Sequence, residues 1–186
     1  MDPQLESLRK QLEAIRTDAD TLVKGLTDQQ LQWCPKAGAW SIVQCLAHLI
    51  SIDGQELPQL FREITAGRKN GIVATGPFQW NWFERWFIST VDPPFKLKVP
   101  TPKKYRPAAI FNARETILEF QRVQHDLSYL VAEADGLDLK KIKVVSPVAK
   151  WITMSIGARL DLIAAHDRRH LWQAHRVREH QNFPKT

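Results

Sequence analysis

An all-α fold, a four-helix bundle with one long aromatic- and proline-rich crossover between its second and third helices, is predicted by three features of this sequence. Four stretches carry apolar residues at steps of three and four, the pattern of a helix that buries one face. No stretch of consequence alternates apolar and polar residues as a half-buried strand would. Six of the eleven prolines fall between Pro77 and Pro107, which rules out a regular helix over that whole span.

The first helix opens at Asp2-Pro3, a capping side chain followed by a proline whose missing N–H costs nothing there, and runs along Leu5, Leu8, Leu12, Ile15, Ala19 and Leu22 to Gly25. Thr27 and Gln30 have the spacing of a capping box for a short turn, with Trp33 packed beneath it as core. Ser41 caps the second helix, which carries Ile42, Leu46, Leu49, Ile50 and Leu57 toward Gly67, with a kink expected at Pro58. A polar stripe of Ser41, Gln44, His48, Ser51 and Gln55 follows the same period along it.

From Arg68 to Pro107 the chain is expected to be mostly irregular, with a short amphipathic helix permitted among Phe78, Trp80, Trp82, Phe83, Trp86 and Phe87. Those six aromatics read as a hydrophobic plug on the bundle ahead of a pocket wall or an oligomer contact. Asn112 and Glu115 start the third helix, which ends at Gly136 and leaves His125 exposed. Val144-Val145 and Trp151-Ile152 read as extended or 3₁₀ pieces leading into a fourth helix at about Ser155, and residues 181–186 read as a frayed tail.

At 186 residues, 44% hydrophobic and 25% charged, the chain suits one domain over residues 1–186, with an irregular insertion at about 68–110. It carries no apolar run of membrane-spanning length and no signal-peptide pattern, so no membrane partner and a cytoplasmic address are expected. Two cysteines, Cys34 and Cys45, agree with a reducing compartment, and Cys45 reads as a small buried hydrophobe. The net charge of +6 comes from dispersed residues, including Lys96, Lys98, Lys103, Lys104, Arg106, Lys140, Lys141 and Lys143, without aromatic interleaving. No nucleic-acid partner is expected.

The chemistry concentrates in Asp161–Arg178, where His166 and His170 stand one helical turn apart. Leu160, Ile163, Ala164, Leu171, Ala174 and Val177 place the pair on the inward side, while Arg168, Arg169, Trp172, Arg176 and Glu179 are assigned to the outer one. Six histidines in such a chain give one such pair by chance about one time in five, so on spacing alone histidines hydrogen-bonded inside a bundle are the reading that starts ahead of metal ligation. His48 alone reads more simply as a polar residue than as a ligand.

The residues Gly38-Ala39-Trp40-Ser41-Ile42 with Ala47-His48-Leu49, and His166-Asp167-Arg168-Arg169-His170-Leu171-Trp172-Gln173, resemble the DinB/YfiT-like superfamily. That resemblance implies a four-helix bundle holding a divalent metal, zinc or nickel foremost, on His48, His166 and His170. Three neutral imidazoles leave a coordination position for water or substrate. Gln44 and Gln173 lie close enough in sequence to accept the ligands' second N–H groups. Asp167, turned about 100° from His166, is expected in a salt bridge or cap, and Glu56 and Glu84 have no positional support as a base.

The resemblance further implies a metal-dependent enzyme with a small-molecule substrate. Want of a carboxylate near the histidines favours a thiol-dependent S-transferase using a low-molecular-weight thiol over a metal-dependent hydrolase. A non-catalytic bundle binding a small molecule or partner through the tryptophan-rich segment is the other class. A homodimer is also expected, from the family and the surplus of aromatics.

Overall fold

The computed structural model describes residues 1–94, 101–107, 112–146 and 151–185. Lys96, Lys98 and Thr186, used in the sequence reading, lie outside them. The chain forms α1 (Pro3–Val23), α2 (Asp28–Gln32), α3 (Ile42–Lys69), α4 (Trp82–Val91), a 3₁₀ turn (Lys103–Tyr105), α5 (Ala113–Glu133), β1 (Lys143–Val145), β2 (Thr153–Ser155) and α6 (Ile156–Arg178). The four long helices are the predicted bundle. Among the described residues, no helix is long and apolar enough to cross a membrane.

The helix starts are fixed by local chemistry. Asp2 accepts from the Gln4 amide, Thr27/Gln30 and Ser41/Gln44 form complete capping boxes, and the Asn112 side chain accepts from the Glu115 amide. Each such cap stabilises its helix by about 1 kcal/mol. Gly25 and Gly136, both at positive φ, let the chain turn out of α1 and α5. The kink expected at Pro58 does not interrupt α3, which is continuous to Lys69 with Pro58 on its exposed side.

The apolar stripes converge on one core that includes Leu22, Leu46, Leu49, Phe120, Leu127 and Leu130, with contributions from all four long helices. Each of these large side chains contributes roughly 2 kcal/mol on burial. Both α1 and α3 pack against α5 and α6, so the two consecutive long helices stand at opposite corners of the bundle. The third face of α6 is covered by α4.

The crossover is therefore an added wall rather than a loose connection. Its short helix begins later than the aromatics suggested, at Trp82, because Asn81 and Glu84 form a capping box. The aromatics divide between two roles. Phe78 and Trp80 pack against the core and Phe87 packs on Ala158 and Leu162 of α6, whereas Trp82, Phe83 and Trp86 face outward. Buried Glu84 also accepts from the Ser155 amide at the start of α6. The extended pieces pair as a two-stranded antiparallel sheet, with Val144 opposite Met154, and the second strand starts at Thr153 rather than at Trp151.

The expected frayed tail is partly tied down. Phe183 meets Trp33 edge to face, and Gln30 donates to the Pro184 carbonyl. Trp33 is partly buried against the core, as its sequence context suggested, and His125 is exposed.

Trp80 lies across Gly157 in the first turn of α6, and its indole N–H donates to Asp161. A methyl group at position 157 would overlap the Trp80 ring. Gly157→Ala is expected to destabilise the fold by about 1–3 kcal/mol despite its better helix propensity. Urea unfolding measures this, and the Trp80 indole N–H resonance should move as the bond to Asp161 is lost.

Candidate metal centre

His48 comes from the second turn of α3, and His166 and His170 from the middle of α6. The α3–α6 packing brings the three rings together, with centroid separations of 4.5 Å (His48–His170), 4.6 Å (His166–His170) and 5.3 Å (His48–His166). One nitrogen of each lies within 4.8 Å of one nitrogen of the others. Trp40, just before α3, stacks on His170 and leans on His48.

The nitrogens are differentiated by their partners. Nδ1 of His48 lies 2.9 Å from the carbonyl oxygen of Tyr105, an acceptor only, so Nδ1 carries the proton and Nε2 keeps its lone pair. Gln44 is occupied instead at the helix cap, where it accepts from the Ser41 amide. On His170, Nδ1 is buried without a hydrogen-bond partner, while the Gln173 side chain is near enough to favour the protonated ring slightly.

Burial lowers the pKa of all three histidines, that of His170 well below the usual value and that of His166 down to about 3. Mutual repulsion among the rings and the Arg169 charge act in the same direction on His166 and His170. At neutral pH the site holds three uncharged imidazoles with free lone pairs and one buried nitrogen lacking any partner. Such a set fits a divalent cation that favours nitrogen ligands.

Around the histidines lies a layer that the sequence did not disclose. Arg159 grips Glu56 through two parallel N–H···O contacts, with both side chains almost fully buried. Gln124 donates to one oxygen of Asp167 at 2.8 Å. Asp53 and Asp167, both fully buried, lie close to each other and to His166. Burial first, and the neighbouring acids next, raise the pKa of Asp53 well above the usual carboxylate range. Asp167 shifts the same way, chiefly through burial, although Gln124 opposes the shift.

Asp167 is thus neither a surface salt bridge nor a helix cap. It points into the bundle, because the i+1 residue of an inward histidine still lies within the broad buried arc of a helix covered on three sides. Glu56 gains the positional support it lacked: it lies eight residues beyond His48, on the same face of α3. That spacing was the available signal for it, and the i, i+3 spacing of Asp53 and Glu56 offered another. Glu84 is kept away from the histidines by its bonds at Asn81 and Ser155. Cys45 is fully buried, and burial raises its thiol pKa, as expected of a hydrophobe rather than a ligand.

A cavity of about 250 Å³ opens beside the three histidines. Its apolar wall includes Ile52, Phe87, Val91 and Leu162, and its polar wall includes Asp53, Glu56, Arg159 and Arg169. Arg169 had been assigned to the outer face of the last helix. Standing at i+3 from His166 it shares that histidine's side, and it lines the same cavity.

Glu56→Gln should strand the buried Arg159 guanidinium and destabilise the protein by about 3 kcal/mol. The double variant Glu56→Met/Arg159→Met should recover most of that loss. Urea unfolding of the three proteins checks both statements.

The sequence matches the family model of the DinB superfamily over residues 11–174. No curated protein matches it. The structure is similar to YfiT from Bacillus subtilis, described as a probable metal-dependent hydrolase with an unusual four-helix bundle topology. The TM-score is 0.65 at 15% identity, covering 99% of this chain and 91% of YfiT, a likeness of fold. With the family model spanning most of the chain, including all three histidines, this protein belongs to the DinB superfamily.

Proposed function

We propose that this protein is a divalent-metal-dependent hydrolase of a small, largely apolar ester or amide, with the ion held by His48, His166 and His170. The observation that carries the proposal is the meeting of three neutral imidazoles and a buried carboxyl group of raised pKa at one cavity. The description of YfiT as a probable metal-dependent hydrolase supports the same reading. Zinc and nickel both suit three imidazole ligands.

A divalent metal there supplies Lewis acidity, polarising a substrate oxygen and making water a better nucleophile. The chain's own groups do the rest. Tyr105 fixes the His48 tautomer so that Nε2 is the nitrogen with a lone pair. Trp40 shields the backs of His48 and His170 from water. Ile52, Phe87, Val91 and Leu162 exclude solvent from an apolar substrate. Asp53, whose pKa burial raises, lines the cavity and is the group placed to protonate the leaving group. Glu56 is committed to Arg159 and acts as its anchor rather than as a base.

The thiol-transfer reading drew its weight from the want of a carboxylate near the histidines. Asp53 at the cavity wall places a carboxyl group beside the histidines and takes away part of that weight. The two chemistries separate in one screen. Metal-loaded protein should turn over esters or amides without any thiol; turnover of an electrophile that requires an added low-molecular-weight thiol would restore transfer.

Two variants complete the test. His170→Ala should lose the single equivalent of metal seen by elemental analysis and titration calorimetry. Asp53→Asn should keep the metal while kcat falls on the order of 100-fold. Equal metal content in wild type and His170→Ala would remove that residue from the site.

A further inference from the structure

We propose that the outer face of α4 docks the protein on an anionic lipid surface, with Trp82, Phe83 and Trp86 entering the headgroup layer and Arg85 meeting lipid phosphate.

Helix α4 has two apolar sides, and one of them is spent inside the molecule. Phe87, Ile88 and Val91 pack on the Ala158 and Leu162 side of α6, and Phe87 and Val91 also line the cavity beside the histidines. On the other side Trp82 is 70% exposed, Trp86 48% and Phe83 40%. These rings form one patch: Trp82 stacks on Trp86 with 6.1 Å between centroids, and Phe83 lies 6.0 Å from Trp86. Large rings gathered in water mark a contact surface.

The charge on that side has one sign. Arg85 stands exposed three residues after Trp82, one helical turn away. Glu84, the acid within α4, is turned inside, where it accepts from the Asn81 and Ser155 amides. Asp92, at the end of the helix, is paired with Arg168. The 3₁₀ turn that supplies Tyr105 to the same cavity exposes Lys103, with Arg106 exposed beside it, and the chain as a whole carries a net charge of +6. Indole rings settle at the headgroup level of a bilayer, and each basic group near an anionic surface adds about 1 kcal/mol.

A second copy of the chain fits this face less well. The three rings leave roughly 400 Å² in water, about half of the ~800 Å² that each partner of a stable dimer contributes. A two-fold contact through the patch would also bring Arg85 together with its own copy. A lipid surface imposes neither limit. The apolar wall of the cavity, on the inner side of the same helix, suits a substrate that partitions into bilayers, so α4 stands between the site and the phase that holds such a molecule. The expectation of no membrane partner rested on the want of a spanning segment, which docking at a surface does not need.

The full chain, metal-free and zinc-loaded, is sedimented with vesicles of phosphatidylcholine alone or mixed with phosphatidylglycerol. Wild type should bind the mixed vesicles in both metal states, prefer them clearly to phosphatidylcholine alone, and be released by added salt. Trp82→Ala/Trp86→Ala should lower the partition coefficient at least about tenfold, and Arg85→Gln about fivefold. Brominated phosphatidylcholine in the mixed vesicles should quench tryptophan fluorescence of wild type and not of Trp82→Ala/Trp86→Ala. Trp151→Ala removes an exposed indole outside α4 and should keep both binding and quenching. All these variants replace exposed side chains, and unchanged urea midpoints establish that each is folded.

Equal binding to both kinds of vesicle, binding to neither, or quenching that persists in Trp82→Ala/Trp86→Ala overturns the proposal. So does a lipid-free dimer in analytical sedimentation that Trp82→Ala/Trp86→Ala dissociates, which would assign the face to a second copy. Docking requires neither metal nor turnover. A protein that takes up no metal and hydrolyses nothing, yet binds anionic vesicles through α4, would sink the hydrolase reading and leave this one standing.

Discussion

Arg159 and Glu56 join α6 to α3 in the interior of the bundle, about two helical turns from His166 and His48. Two opposite charges out of water tolerate little displacement, because a small shift forfeits hydrogen bonds whose loss the surroundings cannot repair. The separation of the two helices is thereby set close to the place where His48 must meet His166 and His170. Apolar packing alone would allow α6 to slide or rotate by fractions of an ångström at small expense, whereas a bidentate pair fixes register as well as distance. The pair stabilises the fold modestly if at all compared with an apolar substitute, and its contribution is better described as alignment.

The crossover completes what the bundle begins. It contributes no histidine, yet its Tyr105 carbonyl decides which nitrogen of His48 holds a proton, and its α4 supplies Phe87 and Val91 to the apolar side of the cavity. Trp80 and Glu84 tie the same segment to the start of α6, at Gly157, Asp161 and Ser155. The segment of the chain that looks least regular in sequence is thus anchored at three points on the helix that carries two of the three histidines. The cavity wall and the orientation of the histidines are coupled through these anchors rather than through the core.

The fold was legible in the sequence because each long helix announces itself twice, by a cap and by a stripe. All six residues of the α1 stripe are buried, as are the six apolar residues that oriented the last helix. The histidines were legible as a set through their spacing and the surrounding motifs, and the structure brings the three together. The acids and Arg159 were not legible. Glu56 and Arg159 are separated by 103 residues, and neither shows in isolation that a partner will neutralise it. Asp53 and Asp167 are buried against the usual tendency of aspartate, a choice made by tertiary neighbours that no local pattern encodes. Arg169 was misplaced for the opposite reason: charge was taken to mean solvent, although the i+3 relation to His166 already placed it near the cavity.

The placement of α1 and α3 at opposite corners, with α5 and α6 between them, bears on how the molecule comes into being during synthesis. When α3 has emerged from the ribosome it has no large partner to pack against, since both of its neighbours are still to be made. His48 therefore spends the interval before α6 appears as a lone imidazole, unable to chelate. Assembly of the histidine triad waits for α6, and the contacts that close it join distant parts of the chain, which slows folding relative to a bundle of sequential hairpins. A nascent chain of this design cannot gather the three histidines early, because two of them arrive together on α6, after every other long helix described.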